Sequence, residues 1–134
     1  MGAQGLTVHA ASFEGTRHML ARAIDRADTT GGACSIEDMC ASAQAFEVRQ
    51  DGQPVAAYAL NTCAHSGGRV TWVAAAGGGV PGLDLTAQIM DTVIAQARSV
   101  QAGQLAITTR RRGLIKKLRA LGFEVSGITL RRKI

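Results

Sequence analysis

Apolar positions in the first part of the chain recur at helical spacing: Phe13, Leu20, Ala23, Ile24 and Ala27 share one face. Ser12 ahead of them is a good N-cap, and Glu14 lies in the first turn, where the helix dipole favours an acid. Asp28-Thr29-Thr30-Gly31-Gly32 ends this helix, and Leu6–His9 before it reads as a short strand. Ser35-Ile36-Glu37-Asp38 has the form of a capping box with Asp in place of Glu, and it opens a short second helix to about Ser42.

The period then changes from helical to alternating. Over Ala45–Gln50, Phe46 and Val48 fall on one face and Glu47 and Arg49 on the other. Asp51-Gly52 is the strongest hairpin signal in the chain, because a two-residue type I′ turn needs positive φ at both central residues. Val55, Ala57 and Ala59 continue a return strand to about Thr62. Ser66-Gly67-Gly68 turns the chain again, and Arg69–Ala76 is a fourth strand containing Trp72. Gly77 to Gly82 reads as a flexible loop. Asp84 then caps a helix carrying Leu85, Ile89, Val93, Ala97 and Val100 along one side. Leu105–Thr109 is a strand, Leu114, Ile115, Leu118 and Leu121 line the next helix, Gly122 stops it, and Phe123–Lys133 is a final strand.

The expected order is β-α-α-β-β-β-α-β-α-β. An antiparallel meander followed by a βαβ unit makes an α+β domain with a mixed sheet and helices on both faces. With no internal repeat and no linker, residues 1–134 are expected to form a single domain. One core should hold Phe46, Val55, Trp72, Ile89, Val93, Leu105, Ile107, Leu118 and Phe123.

Composition narrows the class. Hydrophobic residues make up 46% and charged residues 19% of the chain, a balance that supports a packed core rather than disorder. No apolar run reaches the roughly 18 residues needed to span a bilayer. The amino terminus lacks the basic start and apolar stretch of a signal peptide, and Gly2 with Thr7 misses the myristoylation pattern. Cys34, Cys40 and Cys63 are odd in number and fit no zinc spacing, so reduced thiols in a cytoplasmic protein are expected and no metal site.

Charge is distributed unevenly. Residues 110–134 hold nine basic side chains and one acid, a net of +8, whereas the first 109 residues sum to −3. Arg112, Lys116 and Arg119 form a stripe opposite the leucine face of the last helix, beside Arg110 and Arg111. Two readings stay open: a solvated helix face, or a contact surface for a polyanion or an acidic protein partner. Base-stacking aromatics are nearly absent here, which disfavours sequence-specific nucleic-acid reading.

Leu114-Ile115-Lys116-Lys117-Leu118-Arg119-Ala120-Leu121-Gly122-Phe123-Glu124 resembles the closing helix of the GNAT acyl-CoA N-acyltransferase superfamily, which ends in a Leu-Gly-Phe turn. The order of elements and the glycine loop after the fourth strand are similar to that family over nearly the whole chain. The resemblance implies that the pantetheine arm of an acyl-CoA pairs near Val73, Ala74 and Ala75, and that its phosphates lie near Gly77, Gly78, Gly79 and Gly82. Backbone N–H groups of glycines and a helix N-terminus suit an anion, and Arg110–Arg112 are further candidates for the phosphates, since arginine binds them bidentately.

The chain also departs from the family pattern. Glycine stands where the family's loop carries a basic or amide residue, Pro81 removes an N–H donor, and Asp84 puts a carboxylate where the pyrophosphate would sit. The family's tyrosine acid falls on Leu118 and its asparagine on Arg111. No Asp or Glu lies on Arg69–Ala76, leaving Glu47 and His65 as substitute bases. The leading expectation is therefore a degenerate GNAT-like protein with eroded catalytic and CoA-loop motifs, serving as a binding or assembly component. By analogy with compact GNAT-like proteins of tailed phages, a phage particle is one setting. The alternative is an N-acyltransferase moving an acetyl group from acetyl-CoA to an amine, mainly by positioning a reactive thioester. A third, weaker alternative is a nonspecific nucleic-acid binder.

Overall fold

A computed structural model describes residues 5–134; Gly2 and its neighbours lie outside the described residues. The elements run β1 (Leu6–Ala11), α1 (Phe13–Leu20), α2 (Arg22–Ala27), α3 (Ile36–Cys40), β2 (Gln44–Gln50), β3 (Gln53–His65), β4 (Gly68–Gly78), α4 (Leu85–Ser99), β5 (Ala102–Ile107) and α5 (Arg112–Ala120). They build one five-stranded sheet in the order β1-β2-β3-β4-β5. The first three pairings are antiparallel and β4–β5 is parallel, as expected of a meander followed by a βαβ crossover.

The local signals act as their chemistry dictates. Ser12 accepts from the Gly15 N–H, and Ser35 and Asp38 complete the reciprocal capping box. Asp51 and Gly52 have φ of 50° and 82°, the two positive values that a tight turn between β2 and β3 demands. At the end of α5 the Gly122 N–H bonds the Arg119 carbonyl and the Phe123 N–H bonds that of Leu118. That pair of bonds is a Schellman motif, which explains why Leu-Gly-Phe stops the helix.

Each face of the sheet is covered by helices. Val48, Ala56, Tyr58, Leu60 and Val93 form one cluster beneath α4, with Phe46, Val55, Val73, Ile89 and Leu105 packed against it. Met19, Leu20, Ile36, Cys40, Ala45, Ala57, Ala59 and Ala75 form the other, beneath α1, α2 and α3. Alanines on this second face let the helices approach closely. Tyr58 stacks on Phe46 at 5.3 Å and donates to Gln96 Oε1 at 2.6 Å. Burial pushes its hydroxyl up to about 12, only partly opposed by that hydrogen bond.

Several expectations need correction. The first long helix divides at Ala21 into α1 and α2. The core is two clusters rather than one: of the nine expected residues Phe46, Val55, Ile89, Val93 and Leu105 share the α4 cluster, whereas Ile107, Leu118, Phe123 and Trp72, the last 38% exposed, belong to neither. Alternation explains the exposure of Trp72: Thr71 is buried and bonds Thr62 across the ladder, so its neighbour Trp72 points to the opposite face, opposite Asn61, beyond the cover of α1–α3. Strand β4 runs on to Gly78, so the expected loop begins only at Gly79. The final strand over Phe123–Lys133 does not form. The segment carries no assigned strand, and Val125, Ile128 and Leu130 are exposed.

Candidate acyl-CoA cleft

A fork between β4 and β5 is the most unusual backbone feature. Ala59 pairs with Ala75 and Leu60 with Val73, so Ala74 is an extra residue, a β-bulge. Consistent with the bulge, both Ala74 and Ala75 turn toward the α1–α3 face while Val73 packs on the α4 side. Parallel pairing to β5 ends at the same point, with Val73 opposite Ile107. Beyond it, Ala75 to Gly78 keep their β3 partners, and Ala74 to Gly78 have no strand of the described residues on the β5 side. An extended ligand with amide groups can bond to such an edge as a missing strand would.

The glycines after the bulge have separate roles. A Cβ on Gly77 would stand 1.8 Å from the Met19 carbonyl oxygen and 3.2 Å from the Arg22 Cβ, so the absent side chain admits the backbone at the end of α1. Gly78 pairs with Ala56, and the Gly79 N–H donates to the Val55 carbonyl. Gly82 sits in the turn that leads into α4. Thus Gly77, Gly78 and Gly79 have structural duties within the sheet or at its end, and the freest backbone is closer to Gly82.

Asp84 caps α4 by accepting from Ala87 N–H at 3.3 Å, and Lys117 Nζ of α5 lies 3.7 Å from the same carboxylate oxygen. Sequence spacing did not reveal Lys117, because its partner lies on another helix. The pair is exposed, so it contributes little stability, but it places a cation beside the α4 N-terminus. Arg110, Arg111, Arg112, Lys116 and Arg119 are all exposed, and the three arginines follow β5 out of the sheet at its forked end. Arg111 begins α5 without a side-chain cap, and Arg110 donates to the Asp28 carbonyl at 3.3 Å. Asp28 accepts from the backbone and hydroxyl of Thr30, and these bonds hold its carboxyl below the usual range.

The candidate bases do not meet the cleft as free groups. His65 ends β3 opposite Gly68, at the other end of β4 from the fork. Glu47 shares a cross-strand line with Ala57 and Gly77, but its carboxylate holds Arg49 at 2.6 Å. Leu118 is buried and offers no proton. No cluster able to hold a metal occurs among the described residues, and none of their helices is long and apolar enough to cross a membrane.

No protein-family model matches the chain, and no curated protein matches it. Solved structures do. A GNAT family acetyltransferase from Elizabethkingia anophelis, with acetyl-CoA bound, aligns over 92% of this chain and 79% of its own at a TM-score of 0.72 and 17% identity. The chain has the GNAT fold. A ribosomal-protein-alanine N-acetyltransferase from Brucella melitensis aligns over 98% and 99% of the two chains at a TM-score of 0.65 and 14% identity. A transcriptional regulator from Bacillus halodurans reaches 0.69 at 15% identity, covering 96% and 99%. One GNAT fold thus serves proteins with different stated roles, and function has to be argued from the cleft.

Proposed function

We propose that the chain binds an acyl-CoA in the β4–β5 fork and acts as an N-acyltransferase that works by positioning. The observation that carries this reading is the bulge at Ala74 together with the unpaired edge from Ala74 to Gly78. The edge suits the neutral amides of a pantetheine arm. The phosphate end fits less well, because the Asp84 side chain already caps the N-terminus of α4, although Lys117 and the exposed arginines offset its charge. A bound acyl-CoA supplies an activated thioester carbonyl. The chain holds that group along β4 and leaves the acceptor amine to arrive already neutral, since of the two candidate bases Glu47 is paired with Arg49 and His65 lies at the far end of β4.

Calorimetric titration with acetyl-CoA tests the reading. Wild-type protein is expected to bind with a dissociation constant of roughly 1–100 μM. Asp84→Asn keeps a capping side chain but removes the competing charge, so it should tighten binding about threefold to tenfold with little change in stability. Absence of heat for both proteins would defeat the proposal.

A second reading is favoured by Leu118, whose burial at the proton-donor position leaves no acid for a leaving thiolate. Under it, the chain is a non-catalytic binding or assembly component whose Arg112, Lys116 and Arg119 stripe meets a protein or polyanion, in a phage particle as one setting. Tight acetyl-CoA binding without turnover on any amine would favour this reading over the enzyme.

A further inference from the structure

Trp72 is the only tryptophan of the chain, and it is exposed beside the fork rather than packed in a core. It stands one residue before Val73, where the pairing of β4 with β5 ends. Its own strand partners are Ala106 on β5 and Asn61 on β3. Alternation and the bulge put Trp72, Ala74 and Ala75 on the α1–α3 side of the sheet. Ala106 beside it carries only a methyl group, so the indole presents a flat apolar surface where the two strands part. Its strand neighbours on that face, Asn61, Cys63, Val70 and Ala106, include no acid to hold an ammonium group.

The apex of the fork is where chemistry would occur. The charged phosphate end of an acyl-CoA belongs at the open mouth, where Lys117 and the exposed arginines lie. Its acyl end then reaches the closed apex, beside Val73 and Ala74. An alkylamine, with a pKa of roughly 10, is protonated at that point and has to lose a proton before it can attack. Glu47 holds Arg49, and His65 lies at the far end of β4. The Asp28 carboxylate lies in the α2–α3 loop that Arg110 ties to the end of β5, and it too is engaged. It accepts from the Thr30 N–H, the Thr30 hydroxyl and the Gly32 N–H, bonds that hold its carboxyl low and make it a poor base. An amine bonded directly to an aromatic ring shares its lone pair with that ring, and at neutral pH it is uncharged without help.

We propose that the acceptor is an arylamine, with its ring laid against Trp72 and its nitrogen at the apex of the fork. The inference rests on the acyl-CoA reading of the cleft and names the substrate class that this cleft takes. The nitrogen lone pair adds to the thioester carbonyl and forms a C–N bond. The C–S bond then breaks, and sulfur leaves with its electron pair. One N–H proton passes to water, giving an N-acyl arylamine. The departing thiolate belongs to a thiol of pKa roughly 8.5, so it can leave without an acid and take its proton from water afterwards. That matches the buried leucine at position 118. Trp72 acts as a specificity residue: it orients the ring and takes no part in bond making.

Acylation of 4-methoxyaniline, benzylamine and cyclohexylamine by acetyl-CoA, followed by thiol release at neutral pH, tests the class. Wild-type kcat/KM should be at least about tenfold higher for 4-methoxyaniline than for either alkylamine, of which under about one part in a thousand is neutral. Trp72→Ala should raise KM for 4-methoxyaniline about tenfold with kcat nearly unchanged, the size expected of one lost aromatic stack. Trp72→Phe should restore most of that KM. Trp72 is exposed, so circular dichroism and the calorimetric affinity for acetyl-CoA should be the same in both variants. Absence of acetyl-CoA binding would remove the acyl-CoA reading and this one with it. Normal acetyl-CoA binding with no acylated arylamine, with benzylamine preferred, or with an unchanged KM in Trp72→Ala would overturn the arylamine proposal alone.

Discussion

Gly77→Ala should destabilise the fold by about 3 kcal/mol, at the upper end of ordinary overpacking costs. The added methyl would lie 1.8 Å from the Met19 carbonyl oxygen and 2.9 Å from its carbon, both backbone atoms at the end of α1. Neither can step aside by rotating a side chain, so α1 must shift off β4. Gly113→Ala is the matched contrast. Nothing lies within 4 Å of that methyl, and in a helix it should raise stability by roughly 0.5–1 kcal/mol. Urea denaturation of the two variants measures both. A cost below about 1 kcal/mol for Gly77→Ala would mean that the end of α1 is not seated against the strand.

Leu20→Ala should cost about 3 kcal/mol and lower the melting temperature by roughly 10 °C. Leu20 is fully buried at the last turn of α1, among Ile36, Cys40 and a sheet face built of alanines. Those alanines have no length to fill the space, and helix α3 is capped on Ser35, so the void cannot easily collapse. Thermal melting by circular dichroism checks this. A drop of less than about 3 °C would show that α1–α3 repack freely over the sheet.

Features legible in the sequence are those whose cause lies within a few residues. Ser12, Ser35, Asp38 and Asp84 cap their own helices, Asp51-Gly52 makes its own turn, and Leu118, Arg119, Gly122 and Phe123 close α5 among themselves. Hence the GNAT-like order of elements could be read from local pattern. What escaped depends on distant partners. The bulge at Ala74 exists only relative to the register of β3, the need for glycine at position 77 comes from Met19, and Lys117 meets Asp84 across two helices. Trp72 suggested a core position by its size, yet the parity of β4 sends it outward. The last segment has strand composition, but a strand needs a neighbour, and the described residues of one chain offer none. For the candidate site, resemblance named Val73–Ala75, where β4 and β5 part, and Gly77 and Gly78, whose missing side chains make room for the backbone of Met19 and of Val55–Ala56.

The cleft and the sheet edge make different demands on the chain. At the fork, backbone groups of Ala74 to Gly78 are open because β5 ends; on the outer side of β5 no strand of the described residues pairs.

Amide hydrogen exchange across Ala74–Gly78, with and without acetyl-CoA, tests the central claim most directly. The amides on the free edge should exchange at least about tenfold more slowly at saturating acetyl-CoA, as they gain a partner. Exchange there that stays unchanged at saturation, with protection appearing elsewhere or nowhere, would contradict a cofactor held along β4.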